Sequence, residues 1–195
     1  GDWAEMFILN GFAEKTFSFY LFNTEAVRNT GLSSFDERYY SEDIIRNYQL
    51  GYALNEKDAF TQEAMKAGYK KNYLEKTGLT FVGNNDYMSD RFRGRVIFPI
   101  HTLSGKIVAF GGRILKKEEK TAKYVNSPES EIYHKSNELY GIYFARQAMV
   151  KQDKCFLVEG YTDVISMHQA GIENVVASSG TALTPGQIRL IHRFT

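Results

Sequence analysis

Apolar residues recur at helical spacing over residues 4–22. Ile8, Leu9, Phe12, Ala13, Phe19 and Tyr20 form a stripe that predicts an amphipathic helix packed on a core. Residues 24–38 predict a shorter helix, interrupted near Gly31. Ser41 is a suitable N-cap, and Glu42 and Asp43 fill the positive first turn of a helix through Tyr48. Leu50–Leu54 predicts a strand. Asp58–Ala67 and Lys71–Lys76 predict two helices, stopped by Gly68 and Gly78. Nothing in this first part proposes chemistry.

The pattern changes near Asn84. Arg95–His101 and Lys106–Leu115 are β-rich, and the Leu103-Ser104-Gly105 turn between them predicts a hairpin. Both strands are almost continuously apolar, so both faces should be covered. Pro99 cannot donate to a ladder and implies an edge or bulge. Arg91, Arg93 and Arg95 alternate, which in an extended chain places three guanidiniums on one face, a geometry suited to several phosphates. Gly94 is the residue that would break this alignment. Gly111-Gly112-Arg113 permits close backbone approach with another arginine beside it. Lys123 then supplies charge, Asn126 offers donors and acceptors, and Asn126-Ser127-Pro128 reads on its own as a plain turn. Lys135 follows His134. A helix over Gly141–Lys151 should face inward with Ile142, Ala145 and Met149.

The stretch from Cys155 to Asp163 carries the sharpest signal. Phe156–Val158 predicts a buried strand that stops at Glu159 and Gly160. A helix carrying Asp163 in its first turn follows and ends at Gly171. Ligands of open α/β sheets sit outside the carboxyl ends of strands, so both carboxylates can face one crevice, with Gly160 easing the turn. Two hard oxygen ligands there suit Mg²⁺, which keeps waters and substrate phosphates as its other ligands, and so suit phosphoryl or nucleotidyl transfer. The competing reading is a solvated strand end with Asp163 favouring a helix N-terminus. Asn174–Ser178 predicts a second buried strand, completing a βαβ unit with Gly180-Thr181 at its carboxyl end. Thr184, Pro185 and Gln187 form a capping box for a helix to Thr195.

Composition is that of an ordinary globular chain, 43% hydrophobic and 24% charged over 195 residues. No apolar run reaches the roughly eighteen residues of a membrane span, and Met6–Leu9 is too short for a secretory signal. The single cysteine, Cys155, excludes an internal disulfide, argues against a structural zinc site and reads as an inert thiol beside a buried strand. The expected compartment is the cytoplasm. The net charge of +1 conceals a division. Arg91–Arg146 holds eleven Lys and Arg against five acids, or +6, and the remainder carries −5. A positive middle suggests a polyanion surface, although the Lys116–Lys120 run, interrupted by Glu118 and Glu119, is equally a solvated loop.

Taken together, these stretches resemble a known family. Glu159-Gly-Tyr-Thr-Asp163 at a strand end, with Gly180-Thr181 after the next strand, resembles the Toprim fold of primases, topoisomerases and related nucleases. Asp90-Arg-Phe-Arg-Gly-Arg-Val-Ile-Phe-Pro-Ile100, Phe110-Gly-Gly-Arg113, Lys123-Tyr-Val-Asn-Ser-Pro-Glu129 and Phe144-Ala-Arg146 resemble the catalytic core of bacterial, DnaG-type DNA primases. The resemblance implies an α+β N-terminal subdomain with helices and a β-hairpin over 1–152, then a truncated α/β Toprim fold (βαβα) over 153–195. It implies a DNA-templated RNA polymerase that makes short RNA primers for replication. Glu159 and Asp163 take the places of the metal-binding, nucleotidyl-transfer acids, with Mg²⁺ or Mn²⁺ in the complete enzyme. Arg91, Arg93, Arg113, Lys123 and Lys135, and less directly Arg95 and Asn126, fall on the family's basic ridge for single-stranded DNA template, NTPs and RNA primer.

Three features of the family are expected to lie outside this chain: an N-terminal zinc ribbon, an Asp-x-Asp pair after a third Toprim strand, and a C-terminal domain that binds the replicative helicase. The expectation is therefore a fragment of a primase, inactive by itself. Two alternatives stand beside it: a module that only binds single-stranded nucleic acid, and part of a Toprim nuclease or topoisomerase.

Overall fold

The computed structural model describes residues 1–23, 40–115, 120–179 and 181–195. The helix expected over 24–38, most of the Lys116–Lys120 run and Gly180 lie outside the described residues. The chain divides into two compact units, the first comprising 1–99 and 109–132, the second 100–108 and 133–195.

The first unit opens with helix α1, Asp2–Asn23. Its buried positions are Met6, Leu9, Asn10, Ala13, Phe17, Tyr20 and Leu21, a clean 3.6-residue stripe. This corrects the expected stripe in part: Leu9, Ala13 and Tyr20 face inward, but Ile8 and Phe19 are 55% and 60% exposed. Apolar residues surround α1, so periodicity alone does not fix its phase. Phe17 packs on Phe60 at 4.9 Å and edge-on to Phe110 at 5.7 Å, and Phe110 in turn meets Phe92 at 6.2 Å. Each such aromatic pair adds about 0.5–1.5 kcal/mol beyond the area it buries.

Helix α2, Glu42–Asn47, is capped by Ser41, whose hydroxyl accepts from the Ile44 amide at 3.2 Å. Strand β1 is only Gly51–Tyr52. Helices α3, Ala59–Lys66, and α4, Lys71–Lys76, fall where expected. The cap of α3 was not legible: Asp58 makes no side-chain cap bond. Asp90, thirty residues along the chain, accepts instead from the Phe60 and Thr61 amides at 2.8 and 2.9 Å and from the Thr61 hydroxyl at 2.7 Å. Asp90 ends a hairpin that has no clear periodicity, β2 (Thr80–Val82) and β3 (Met88–Asp90), paired antiparallel.

Strands β4, Arg95–His101, β5, Ile107–Ile114, and β6, Tyr124–Asn126, join β1 in a sheet of order β1-β4-β5-β6. All of β4 is buried, as its continuous apolar run predicts. Its register pairs Gly51 with Ile97 and Tyr52 with Val96. The Arg95 carbonyl accepts from Ala53, so by alternation Pro99 points toward the same side, beyond the start of β1. The missing proline N–H therefore costs no ladder bond, which accounts for the edge its position implied.

In the second unit, helix α5, Ile142–Gln152, buries Ile142, Ala145 and Met149, the three residues expected. They form a core with Leu139 and Val176. Strand β7, Phe156–Val158, pairs in parallel with β8, Val175–Ala177, across helix α6, Tyr161–Gln169. Tyr140 extends this pair by exchanging both backbone bonds with Ala177 at 3.0 Å. The burial expected for β7 needs correction, since Phe156 and Leu157 are 41% and 45% exposed while β8 is wholly buried. Among the described residues β7 has only β8 beside it, and an apolar run does not say whether a sheet face is covered. Helix α7, Pro185–His192, has its capping box: Thr184 and Gln187 exchange bonds of 3.1 Å each way. The Gln187 amide nitrogen also donates to the Glu138 and Lys135 carbonyls, at 2.9 and 3.2 Å.

Burial raises the Glu138 carboxyl from 4.5 to about 7. The folded chain therefore keeps this proton to about pH 7, whereas the unfolded chain releases it near 4.5. Stability from this group is fully present below 4.5 and is lost as pH rises through that window. Buried His101, lowered to about 4, has the opposite dependence, losing stability as pH falls from 6.5. Glu138→Gln cannot ionise and leaves His101 unchanged. Urea-unfolding midpoints should show the variant gaining on wild type as pH rises from 4.5 to 7. A constant difference across that range would refute the assignment.

Candidate functional site

The three alternating arginines do not share a face, and this corrects the extended reading of Arg91–Arg95. Residues 91–94 form a turn. Gly94 sits at φ +69°, where a side chain would be strained, and donates its amide to the Ala53 carbonyl at 2.9 Å. Buried Phe92 anchors the turn in the aromatic core. Each arginine then does something different. Half-buried Arg91 donates Nε to the Gly78 carbonyl at 2.5 Å. Arg93 is exposed and donates Nε to Asn55 Oδ1 at 3.2 Å.

Arg95 points inward and is 5% exposed. Its guanidinium donates to the Ala122, Lys123 and Gly112 carbonyls at 2.9, 3.1 and 3.4 Å. Burial lowers the Arg95 pKa, but a guanidinium stays charged and so must be matched by acceptors. Gly112 is required for this packing: a Cβ there would lie 2.8 Å from the Phe92 ring and 3.1 Å from Arg95 Cδ. The close approach expected at Gly111-Gly112 is thus made by the protein's own side chains.

Arg95 fixes the chain entering β6. Lys123 is exposed there, with Nζ 5.8 Å from the Tyr124 ring, and its carbonyl also accepts from Ile114 at 3.0 Å. Arg113 on β5 stands opposite Tyr124, and Asn126 opposite Gly111. The Asn126-Ser127-Pro128 segment is more than a plain turn. Buried Ser127 donates its amide to the Phe110 carbonyl, and its hydroxyl accepts from the Phe110 amide, both at 2.9 Å. Arg91, Arg93, Arg95, Arg113, Lys123 and Asn126 therefore belong to the first unit, on a frame locked by hydrogen bonds.

Lys135, Glu159 and Asp163 belong to the second unit. Lys135 lies exposed on a 3₁₀ turn, Lys135–Asn137. Glu159 is exposed at the carboxyl end of β7. The parallel register places the end of β8 beside it, where Ser178 and Thr181 exchange hydroxyl-to-carbonyl bonds of 2.8 and 3.1 Å. Asp163 is exposed in the first turn of α6, and its Oδ2 accepts from the Gly160 amide at 3.3 Å. Gly160 itself is extended, at φ −128° and ψ 166°, so the sharp turn expected of it is absent. Among the described residues no group of three or more His, Cys, Asp or Glu is placed to hold a metal ion. Two carboxylates fit part of a Mg²⁺ shell, with the remaining ligands to come from water and phosphate. Half-buried Cys155 is pushed up to about 11 by burial, consistent with an inert thiol.

Sequence reading assigned no role to Asp90, Phe110 or Ser127, which hold this frame together. Arg146, counted with the positive charge and in the Phe144-Ala-Arg146 stretch, donates to the Tyr143 and Leu103 carbonyls at 2.9 and 3.0 Å.

The family model described as "DNA primase catalytic core, N-terminal domain" matches residues 18–146, and a Toprim domain model matches 153–195. The DNA primase of Pasteurella multocida is 42% identical over 163 residues, 84% of this chain and 28% of its own length. The chain thus spans less than a third of that relative. The crystal structure of the RNA polymerase domain of Mycobacterium tuberculosis primase DnaG has a TM-score of 0.90 at 33% identity, covering 98% of this chain and 61% of that one. A DnaG primase catalytic domain bound to ssDNA also has a TM-score of 0.90, at 31% identity, covering 100% of this chain and 61% of that one.

Replacing Arg95 tests its part in the frame. Arg95→Ala should lower unfolding free energy by about 2–4 kcal/mol, because it strands buried carbonyls that were bonded to a charged donor. Arg95→Lys should recover only part of this, since an ammonium cannot reproduce the planar fork. Urea titration at neutral pH measures both. An alanine variant as stable as wild type would remove Arg95 from its structural role.

Proposed function

The chain belongs to the DNA primase catalytic-core family, and we propose that its parent is a DNA-templated RNA polymerase making short RNA primers by metal-dependent nucleotidyl transfer. With the family assigned, the Toprim nuclease and topoisomerase alternatives fall away. The observation that carries this reading is the pair of exposed carboxylates, Glu159 at the end of a parallel strand and Asp163 in the next helical turn. We assign residues 1–152 to the N-terminal subdomain of the core and 153–195 to the Toprim fold.

In this reading Glu159 and Asp163 hold Mg²⁺ or Mn²⁺. The metal, when bound, supplies charge neutralisation at the transferring phosphate. Glu159 assists removal of the proton from the attacking 3′-hydroxyl. Arg93 and Lys123, both exposed, take phosphates of the single-stranded template or incoming NTP, joined in the first unit by Arg91, Arg113 and Asn126; in the second unit Lys135 is a further phosphate contact. Arg95 positions this surface without touching the strand. Because the chain spans 28% of the Pasteurella multocida primase, primer synthesis is proposed for the full-length protein, and DNA binding is the activity to be tested on this chain. The replicative helicase is a partner of the full-length protein, zinc belongs to its N-terminal domain, and its compartment is the cytoplasm. Among the described residues no helix is long and apolar enough to cross a membrane.

Fluorescence anisotropy with single-stranded DNA at several salt concentrations tests the surface. Binding by wild type should weaken as salt rises. A folded Arg93→Ala/Lys123→Ala variant should bind more weakly, with the log–log salt slope reduced by about 1.4 for two lost phosphate contacts. An unchanged slope would refute the assignment of these two cations. In the full-length protein, Glu159→Gln should abolish primer synthesis and leave DNA binding at the wild-type level. Normal synthesis by that variant would overturn the catalytic reading.

A further inference from the structure

The β2–β3 hairpin carries two large rings into solvent. Phe81 is 53% and Tyr87 46% exposed, and their centroids lie 6.4 Å apart at 69°. The loop between them turns through Asn85 and Asp86, at φ 57° and 59°. It is closed by the Gly83 amide on the Tyr87 carbonyl at 2.8 Å and the Tyr87 amide on the Asn84 carbonyl at 3.2 Å. This closure brings Tyr87 back over Gly83 to meet Phe81. A Cβ at Gly83 would stand 3.3 Å from Phe81 and 3.4 Å from Tyr87. The rings are thus held in place by backbone bonds while much of their surface stays wet.

Their surroundings are cationic in a specific way. Lys57 Nζ lies 4.5 Å from the Tyr87 ring centroid. The Lys57 carbonyl accepts from the Asp90 amide at 2.7 Å, so the strand that follows Tyr87 also fixes Lys57. Two residues earlier, Asn55 accepts from Arg93 Nε at 3.2 Å. Residues 55–57 therefore tie the ring pair to the arginine turn, which β3 also enters directly through Asp90. At the loop, Lys71 pairs with Asp86 at 2.7 Å and offsets a carboxylate that would repel phosphate. Rings with adjacent cations, continuous with a phosphate-binding turn, form the arrangement that holds single strands without reading sequence.

We propose that Phe81 and Tyr87 form a base-stacking site for single-stranded DNA, with Lys57 taking the neighbouring phosphate. This rests on the nucleic-acid reading of the arginine turn and extends the binding track along the hairpin. Stacking tolerates any base, as a template strand of arbitrary sequence requires.

The test compares an oligothymidine with an abasic oligonucleotide of equal length and charge, by anisotropy. Wild type should bind oligothymidine about tenfold more tightly, within the range that base–aromatic stacking gives. Phe81→Ala/Tyr87→Ala should lose that preference while still binding the abasic strand. Phe81→Leu/Tyr87→Leu, which keeps apolar bulk over Gly83 without a ring, should lose it too and serves if the alanine pair misfolds. Lys57→Ala should weaken both oligonucleotides and reduce the salt slope. A preference that survives in the folded leucine variant would overturn the stacking site and leave the cation surface standing. No binding of either oligonucleotide by wild type would overturn the nucleic-acid reading and this proposal with it.

Discussion

The buried guanidinium of Arg95 is the tie on which the geometry of the first unit depends. A charge that cannot be discharged by losing a proton has to be met by acceptors when it is buried. Three backbone carbonyls from β5 and the approach to β6 meet it. Those bonds fix the strand that presents Lys123. The same residue's backbone closes on Phe92 and on Ala53, which fixes the turn that presents Arg93. One inward arginine thus sets where the outward cations stand. Strand alternation would have placed Arg91, Arg93 and Arg95 together, and Gly94 at φ +69° resets it, so that burial of one and exposure of another coexist within three residues.

Positive charge in this segment is therefore of two kinds. Arg95 and Arg146 donate to carbonyls and support the fold. Arg93 and Lys123 are exposed and give the surface its potential. A segment charge of +6 counts both kinds alike. It therefore overstates the charge that the surface exposes. Under the proposed function, replacing the first kind perturbs stability, whereas replacing the second perturbs binding and its dependence on salt.

What was legible in the sequence followed rules that act over one or two turns. Ile142, Ala145 and Met149 are spaced for one helix face and occupy it. Ser41 and the Thr184–Gln187 box cap the helices they precede. The β4–β5 hairpin and its proline edge came from composition and turn chemistry. Other features depend on partners distant in sequence. Asp90 caps a helix thirty residues away, with no local signal for it. Strands β2, β3 and β6 have three residues each, too few for alternation to register. Exposure of Phe156 depends on what lies across the sheet from it, not on its neighbours in sequence. At the candidate metal centre, the strand-end position of Glu159 was legible, but the part assigned to Gly160 was not, because its backbone is one that any residue adopts.

The two readings of Asp163 were posed as alternatives, yet the geometry accommodates both. A carboxylate has two oxygens and several acceptor directions. One oxygen meets the Gly160 amide at 3.3 Å, a long bond, and the side chain remains exposed. The cap orients the group and satisfies an amide that the start of the helix would otherwise leave open. The remaining acceptor capacity faces solvent beside the strand end that carries Glu159. The strand-to-helix junction thus fixes Asp163 through its cap and leaves acceptor capacity exposed, the placement that the proposed metal-binding role would need.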